Sequence, residues 1–95
     1  MEIIHSVTAG TLESSDIMIT IEKRNSGGIE IDLKSSVMQQ FGEQIKNVIL
    51  GAVTDMGVEN IYINAVDKGA LDCTIKARVL TAIYRAAESK EYIWN

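Results

Sequence analysis

Apolar and polar residues alternate strictly over two stretches of the first third of the chain. Ile17, Ile19 and Ile21 are separated by Met18, Thr20 and Glu22, the period-two pattern of a strand with one buried face. Asn25-Ser26-Gly27-Gly28 supplies turn residues, and Ile29, Ile31 and Leu33 then alternate with Glu30, Asp32 and Lys34. The two segments are predicted to pair as an antiparallel hairpin. Upstream, roughly residues 3 to 12 suggest a further, less regular strand broken by Gly10.

The pattern changes to helical spacing after Ser36. Ser36 with Gln39 fits a capping box. Val37, Phe41, Ile45, Val48, Ile49, Ala52, Val53 and Met56 form one stripe, and Gly57 is placed to end the helix. Gly42 and Gly51 inside it each cost about 1 kcal/mol relative to alanine, which points to close approach of another backbone unless they have simply drifted. Val58 to Val66, with Ile61 and Ile63 alternating with Tyr62 and Asn64, reads as a strand reached by a right-handed parallel crossover. Residues 70 to 88 begin ambiguously, since Leu71, Cys73, Ile75 and Ala77 alternate like a strand. The helical set Leu71, Ile75, Val79, Ile83 and Ala87 explains more of the run, with Asp67-Lys68-Gly69 as its entry turn. The expected fold is α+β: a mixed, roughly four-stranded sheet with two helices on one face. The tail from Ser89, with Tyr92 and Trp94, either stays loose or docks onto a partner.

Ninety-five residues suffice for one domain, spanning 1–95, and 46% apolar residues suit a folded chain. No apolar run approaches the roughly 20 residues of a membrane span, and MEIIHSVTAG lacks a basic region followed by an apolar stretch. A cytoplasmic protein without a membrane partner is expected. The net charge is −4 and the basic residues are scattered, so nucleic acid is not an expected partner and basic protein surfaces are.

No catalytic constellation emerges from spacing. His5 is the only histidine and reads as an incidental surface residue. Cys73 is the only cysteine, so it has no internal disulfide partner, and with one histidine no zinc-like ligand set can be assembled. Its thiolate would need nearby positive charge, for which Lys76 is one helical turn away; the plainer reading is a buried structural thiol. Asp67 and Asp72 fit turn or cap roles, and Gly27-Gly28 lacks the lysine of a phosphate-binding loop. The segment Ala9-Gly10-Thr11-Leu12-Glu13-Ser14-Ser15-Asp16 stands apart by gathering small and hydroxyl residues between two apolar strands. If the alternation of β-type residues persists back to the turn, Ser15 shares the face of Ile17 and Ser14 points away, making Ser14 the better-exposed hydroxyl. The plain alternative is a turn serine bonding its own backbone.

Ala9-Gly10-Thr11-Leu12-Glu13-Ser14 followed by Asp16, together with Asp67-Lys68-Gly69-Ala70-Leu71-Asp72-Cys73, resembles the citrate lyase acyl carrier family, also called the gamma chain. Ser35-Ser36-Val37 and Gln40-Phe41-Gly42 add to the resemblance, which covers nearly the whole chain. It implies that Ser14 is joined by a phosphodiester to phosphoribosyl dephospho-coenzyme A. A dedicated prosthetic-group transferase would deliver it from 2'-(5''-triphosphoribosyl)-3'-dephospho-coenzyme A. The arm's thiol would hold acetyl, exchanged for citryl by the alpha subunit, and the beta subunit would then release oxaloacetate. The carrier itself would perform no catalysis. The family commonly has glycine after the modified serine where this chain has Ser15, which makes Ser15 the alternative attachment point. Asp67 to Cys73 either shapes a docking surface or starts the last helix. Competing readings are the acyl carrier subunit of malonate decarboxylase, an unmodified α+β interaction module using Tyr92 and Trp94, and, more remotely, a small cysteine enzyme. Fatty-acid carriers fit less well, being helical bundles with an Asp-Ser-Leu motif that is absent here.

Overall fold

A computed structural model describes residues 2–87. The alternating segments form β1 (Val7–Gly10), β2 (Ile17–Lys23), β3 (Ile29–Ser35) and β4 (Ile61–Asp67), and the helical stretches form α1 (Met38–Asp55) and α2 (Asp72–Ala87). The tail with Tyr92 and Trp94 lies outside the described residues.

The strands build one mixed sheet in the order β1-β2-β4-β3. β2 does not pair with β3 as a hairpin, because β4 lies between them, antiparallel to β2 and parallel to β3. Local bonding around the connection explains the difference. The Gly28 N–H donates to Asn60 Oδ1 at 2.9 Å, and the Gly28 carbonyl accepts from Ile61 N at 3.1 Å. The turn residues therefore receive the start of β4 instead of closing a two-strand ladder. β4 earns the central place by composition: Ile61, Ile63 and Ala65 are completely buried.

Both helices cover one face of the sheet, α1 over β3 and α2 over β1 and β2, and they also pack on each other. Ile17, Ile19 and Ile21 meet Ile49, Val53, Ile75, Val79 and Ile83 in one continuous core. Burying such a side chain contributes about 1.5–3 kcal/mol. Among the described residues, no helix covers the opposite sheet face, which carries Met18, Thr20, Asn64 and Val66 half-buried, with Glu22, Glu30, Asp32 and Lys34 exposed.

The helix ends correct some expectations and match others. Ser36 forms no capping box: Val37 is the N-cap residue and no side chain caps it. Ser35 is used instead, accepting from Val37 N and donating to Asp67 Oδ2 at 2.8 Å. A buried Asp67 needs donors, and Ser35 stands opposite it in the β3–β4 register. At the other end of α1, Gly57 has φ +73°, Gly57 N donates to Thr54 O and Val58 N to Val53 O. This is a Schellman stop, with glycine in the left-handed position. Gly42 and Gly51 do not admit another backbone. A Cβ at Gly42 would meet the Met38 side chain, and one at Gly51 would meet open space. Phe41 and Leu71, at the ends of the helical stripes, are exposed. Among the described residues, no helix is long and apolar enough to cross a membrane.

Candidate functional site

The motifs that were far apart in sequence meet at one end of the sheet. Ile17 of β2 lies opposite Asp67 of β4, and Asp67 lies opposite Ser35 of β3, so the β1–β2 and β4–α2 connections leave the sheet side by side. Two backbone hydrogen bonds join them: Ser15 N donates to Lys68 O at 2.8 Å, and Lys68 N donates to Asp16 O at 2.9 Å.

Within the first connection, most residues have an identifiable structural task. Gly10 has φ +93°, and a Cβ there would collide with the Ile17 carbonyl and crowd the Arg78 side chain. Only glycine lets the chain fold back so closely on the start of β2. Thr11 Oγ1 accepts from Glu13 N at 3.2 Å and donates to Asp16 Oδ2 at 2.7 Å. Asp16 N donates to Glu13 O at 3.2 Å, closing a four-residue turn over Glu13-Ser14-Ser15-Asp16. Ser15 occupies the third position with φ +63°, the left-handed conformation that a type II turn demands there.

Asp16 anchors this turn to α2. Its carboxylate takes Arg78 Nε and Nη2 in a bidentate pair, both at 3.0 Å, and also accepts from Ile17 N at 2.7 Å. The Arg78 guanidinium foremost, then Thr11 and the Ile17 N–H, hold its carboxyl well below the usual carboxylate range. Asp67 braces the second connection, accepting from Gly69 N and Ala70 N, both at 3.0 Å, as well as from Ser35. The Asp67–Cys73 segment therefore starts the last helix and supports the serine turn at once.

Ser14 sits in the second position of the turn, exposed, and its hydroxyl makes no hydrogen bond with another described residue. It is not an ordinary turn serine satisfying its own backbone. The register argument that separated it from Ser15 does not hold. The alternation ends at Ile17, Asp16 is buried, and both serines are exposed. What distinguishes Ser15 is its left-handed backbone and its N–H bond to Lys68, which make it the stiff hinge of the turn. Glycine would adopt this left-handed position without a Cβ penalty.

Cys73 is exposed, not buried as expected, because it falls on the solvent side of the first turn of α2. Asp72 accepts from Gln44 Nε2 at 3.1 and 3.2 Å, tying the start of α2 to α1. His5 is exposed, with its backbone N–H bonded to Ala86 O. Among the described residues, neither Cys73 nor His5 belongs to a group of His, Cys, Asp and Glu that could hold a metal ion. Beside the serine turn lies an open groove of about 390 Å³, lined by Val37, Phe41, Ile45, Ala70 and Leu71. Sequence reasoning missed it because it assigned Phe41 and Leu71 to the core.

A braced turn that offers two exposed hydroxyls, Ser14 and Ser15, neither bonded to a described residue, suits a protein that carries a group. Consistent with this, residues 4–86 match a family model described as ACP, malonate decarboxylase delta subunit (MdcD), which places the chain in the acyl carrier class. Among curated proteins, the citrate lyase acyl carrier protein of Lacticaseibacillus casei is 55% identical over 95 residues, covering 100% of this chain and 93% of that one. The protein of the same name from Fusobacterium nucleatum is 56% identical over 84 residues, covering 88% and 89%. The chain belongs to the citrate lyase acyl carrier protein family. Its fold is also that of a chain in a Pseudomonas malonate decarboxylase hetero-tetramer solved with malonate, with a TM-score of 0.73 at 17% identity over 85% of this chain and 82% of that one.

Proposed function

We propose that this chain is the acyl carrier subunit of a cytoplasmic citrate lyase, holding phosphoribosyl dephospho-coenzyme A through a phosphodiester on Ser14 Oγ. The observation that carries the reading is the exposed Ser14 hydroxyl, bonded to no other described residue, on a turn fixed from three sides, by Lys68, by Arg78 through Asp16, and by Thr11. An attachment point must be reachable by a modifying enzyme and must not swing freely, and this turn meets both needs. Identity above half to citrate lyase carriers over nearly the full length favours that complex over the decarboxylase, whose structural likeness is at 17% identity.

In the modification step, Ser14 Oγ would attack the first phosphorus of the triphosphate on the precursor's ribose. An O–P bond forms, the bond to the second phosphate breaks, pyrophosphate leaves, and the hydroxyl proton passes to the transferase or solvent. Once attached, the group supplies a terminal thiol on which acyl groups ride as thioesters. The alpha and beta subunits of the lyase would act on those thioesters. This chain contributes positioning: tethering replaces a bimolecular encounter by a high local concentration, provided the arm spans the distance.

The test is the mass of the chain, intact and fragmented, after co-expression with the transferase and the precursor-making enzyme, beside Ser14→Ala. An added phosphoribosyl dephospho-coenzyme A mass on Ser14, lost in Ser14→Ala, supports the reading; the mass on Ser15 moves the site by one residue. No added mass in the presence of a demonstrably active transferase rejects the carrier role in favour of an unmodified interaction module. Acyl exchange with citrate lyase alpha subunit but not with its malonate decarboxylase counterpart separates the two carrier assignments.

A further inference from the structure

Lys68 is the residue most closely coupled to the serine turn that has no side-chain task of its own. Its N–H and C=O are both bonded to that turn, to Asp16 O and from Ser15 N, so its backbone is fixed one residue away from Ser14. Its side chain is exposed and forms no ion pair or hydrogen bond with another described residue.

The acids that would normally neutralise a lysine here are already engaged. Asp16 is taken by the bidentate Arg78, Thr11 and Ile17 N. Asp67 is buried beneath Gly69 N, Ala70 N and Ser35 Oγ. Glu13, the remaining carboxylate of the turn, is exposed and pairs with nothing described. Asp16 and Arg78 cancel, while Asp67 is held by neutral donors only, so Glu13 and Asp67 are the local acids without a described cation and Lys68 is the local base. A phosphodiester on Ser14 would place a further negative charge next to Glu13, and Lys68 is the cation positioned to offset it.

We infer that Lys68 is a phosphate-positioning residue, its ammonium pairing with the phosphodiester on Ser14 and, before transfer, with the incoming triphosphate. The inference rests on Ser14 being the attachment point. Lysine is suited to this as a flexible point charge that needs no fixed fork geometry. The backbone carries the structural duty, so the side chain can be changed without opening the turn.

The experiment compares wild type, Lys68→Gln and Lys68→Arg as full chains. Melting temperatures should agree, because only the Lys68 backbone is bonded. With purified transferase and the triphosphoribosyl precursor, Lys68→Gln should lower kcat/KM for modification about two- to five-fold, the range of an exposed charge pair. Lys68→Arg should restore it, and the salt dependence of the rate should flatten in Lys68→Gln. As a readout independent of turnover, the phosphorus-31 resonance of the Ser14 phosphodiester should shift between loaded wild type and loaded Lys68→Gln, and less for Lys68→Arg. Loading at Ser14 with rate, salt dependence and resonance all indifferent to Lys68→Gln overturns the role of the lysine and leaves the attachment site standing. Failure of wild type to load removes both.

Discussion

Replacing Ser15 by glycine should stabilise this protein. Ser15 holds φ at +63°, where an L-residue is disfavoured by roughly 1–2 kcal/mol through the contact of its Cβ with the following carbonyl. Glycine removes that penalty but has more freedom to lose on folding, which costs about 0.5–1 kcal/mol. The Ser15 side chain is exposed and bonds to no described residue, so its loss removes no contact, while the N–H to Lys68 is kept. The balance is centred on about 0.75 kcal/mol in favour of Ser15→Gly. For a chain of this size that is a rise in melting temperature of about 3–6 °C. Reversible thermal unfolding followed by circular dichroism would measure it, with urea titration as an independent scale. Ser15→Val supplies the contrast, because a β-branched residue tolerates the left-handed region least and should melt below wild type. A Ser15→Gly protein melting no higher than wild type, with Ser15→Val melting no lower, would refute the claim that the turn stores backbone strain at this position.

Other expected outcomes follow from the same geometry. Asp16→Asn should lower stability at neutral pH and flatten its acid dependence. The Asp16 carboxyl is held below its ordinary range when folded, so its contribution is full above about pH 4 and is lost as acid protonates it; thermal melts from neutral pH downward check the sign. Gly10→Ala should destabilise by about 1–3 kcal/mol or more from backbone strain alone, before the clash with the Ile17 carbonyl is counted, as read by chemical denaturation. Ile63→Ala, at a fully buried site in the central strand, should cost about 2–5 kcal/mol, whereas Thr20→Ala on the open sheet face, which loses the 3.3 Å hydroxyl pair with Thr8, should cost about 0.2–1 kcal/mol. Cys73 should react completely with a thiol reagent without denaturant, and protection of that thiol in the folded chain would contradict its exposed position.

The elements were legible in the sequence because each depends on local periodicity. Ile17, Ile19 and Ile21 and then Ile61 and Ile63 announce strands, and Ile45, Ile49, Val53 announce a helix, by spacing alone. The neighbour relations were not legible. Nothing in Asn25-Ser26-Gly27-Gly28 says that Gly28 will bond Asn60 and Ile61, so the local turn signal favoured a hairpin that β4 in fact separates. The capping box expected at Ser36 fails for a similar reason, since it is Ser35, recruited by Asp67 32 positions away, that takes the Val37 N–H, and no side chain caps the helix. At the site, Ser14 was favoured by resemblance and by a register argument that fails, because the alternation ends at Ile17 and both serines are exposed. The reason for its surroundings lies in long-range bonds: Thr11 and Asp16 matter through Arg78, and Lys68 through its backbone. Leu71 and Phe41 were taken for core because a helical stripe does not mark where the partner surface ends.

Arg78 grips Asp16 across 62 positions of sequence, and Lys68 reaches the same turn from the far end of β4. A growing chain that has produced only its first two strands therefore lacks the partners that give the serine turn its shape. The turn takes its defined shape only when the last helix has been made and packed. If Ser14 is the attachment point proposed above, an enzyme that recognised the turn by its geometry would meet that geometry only on the folded chain.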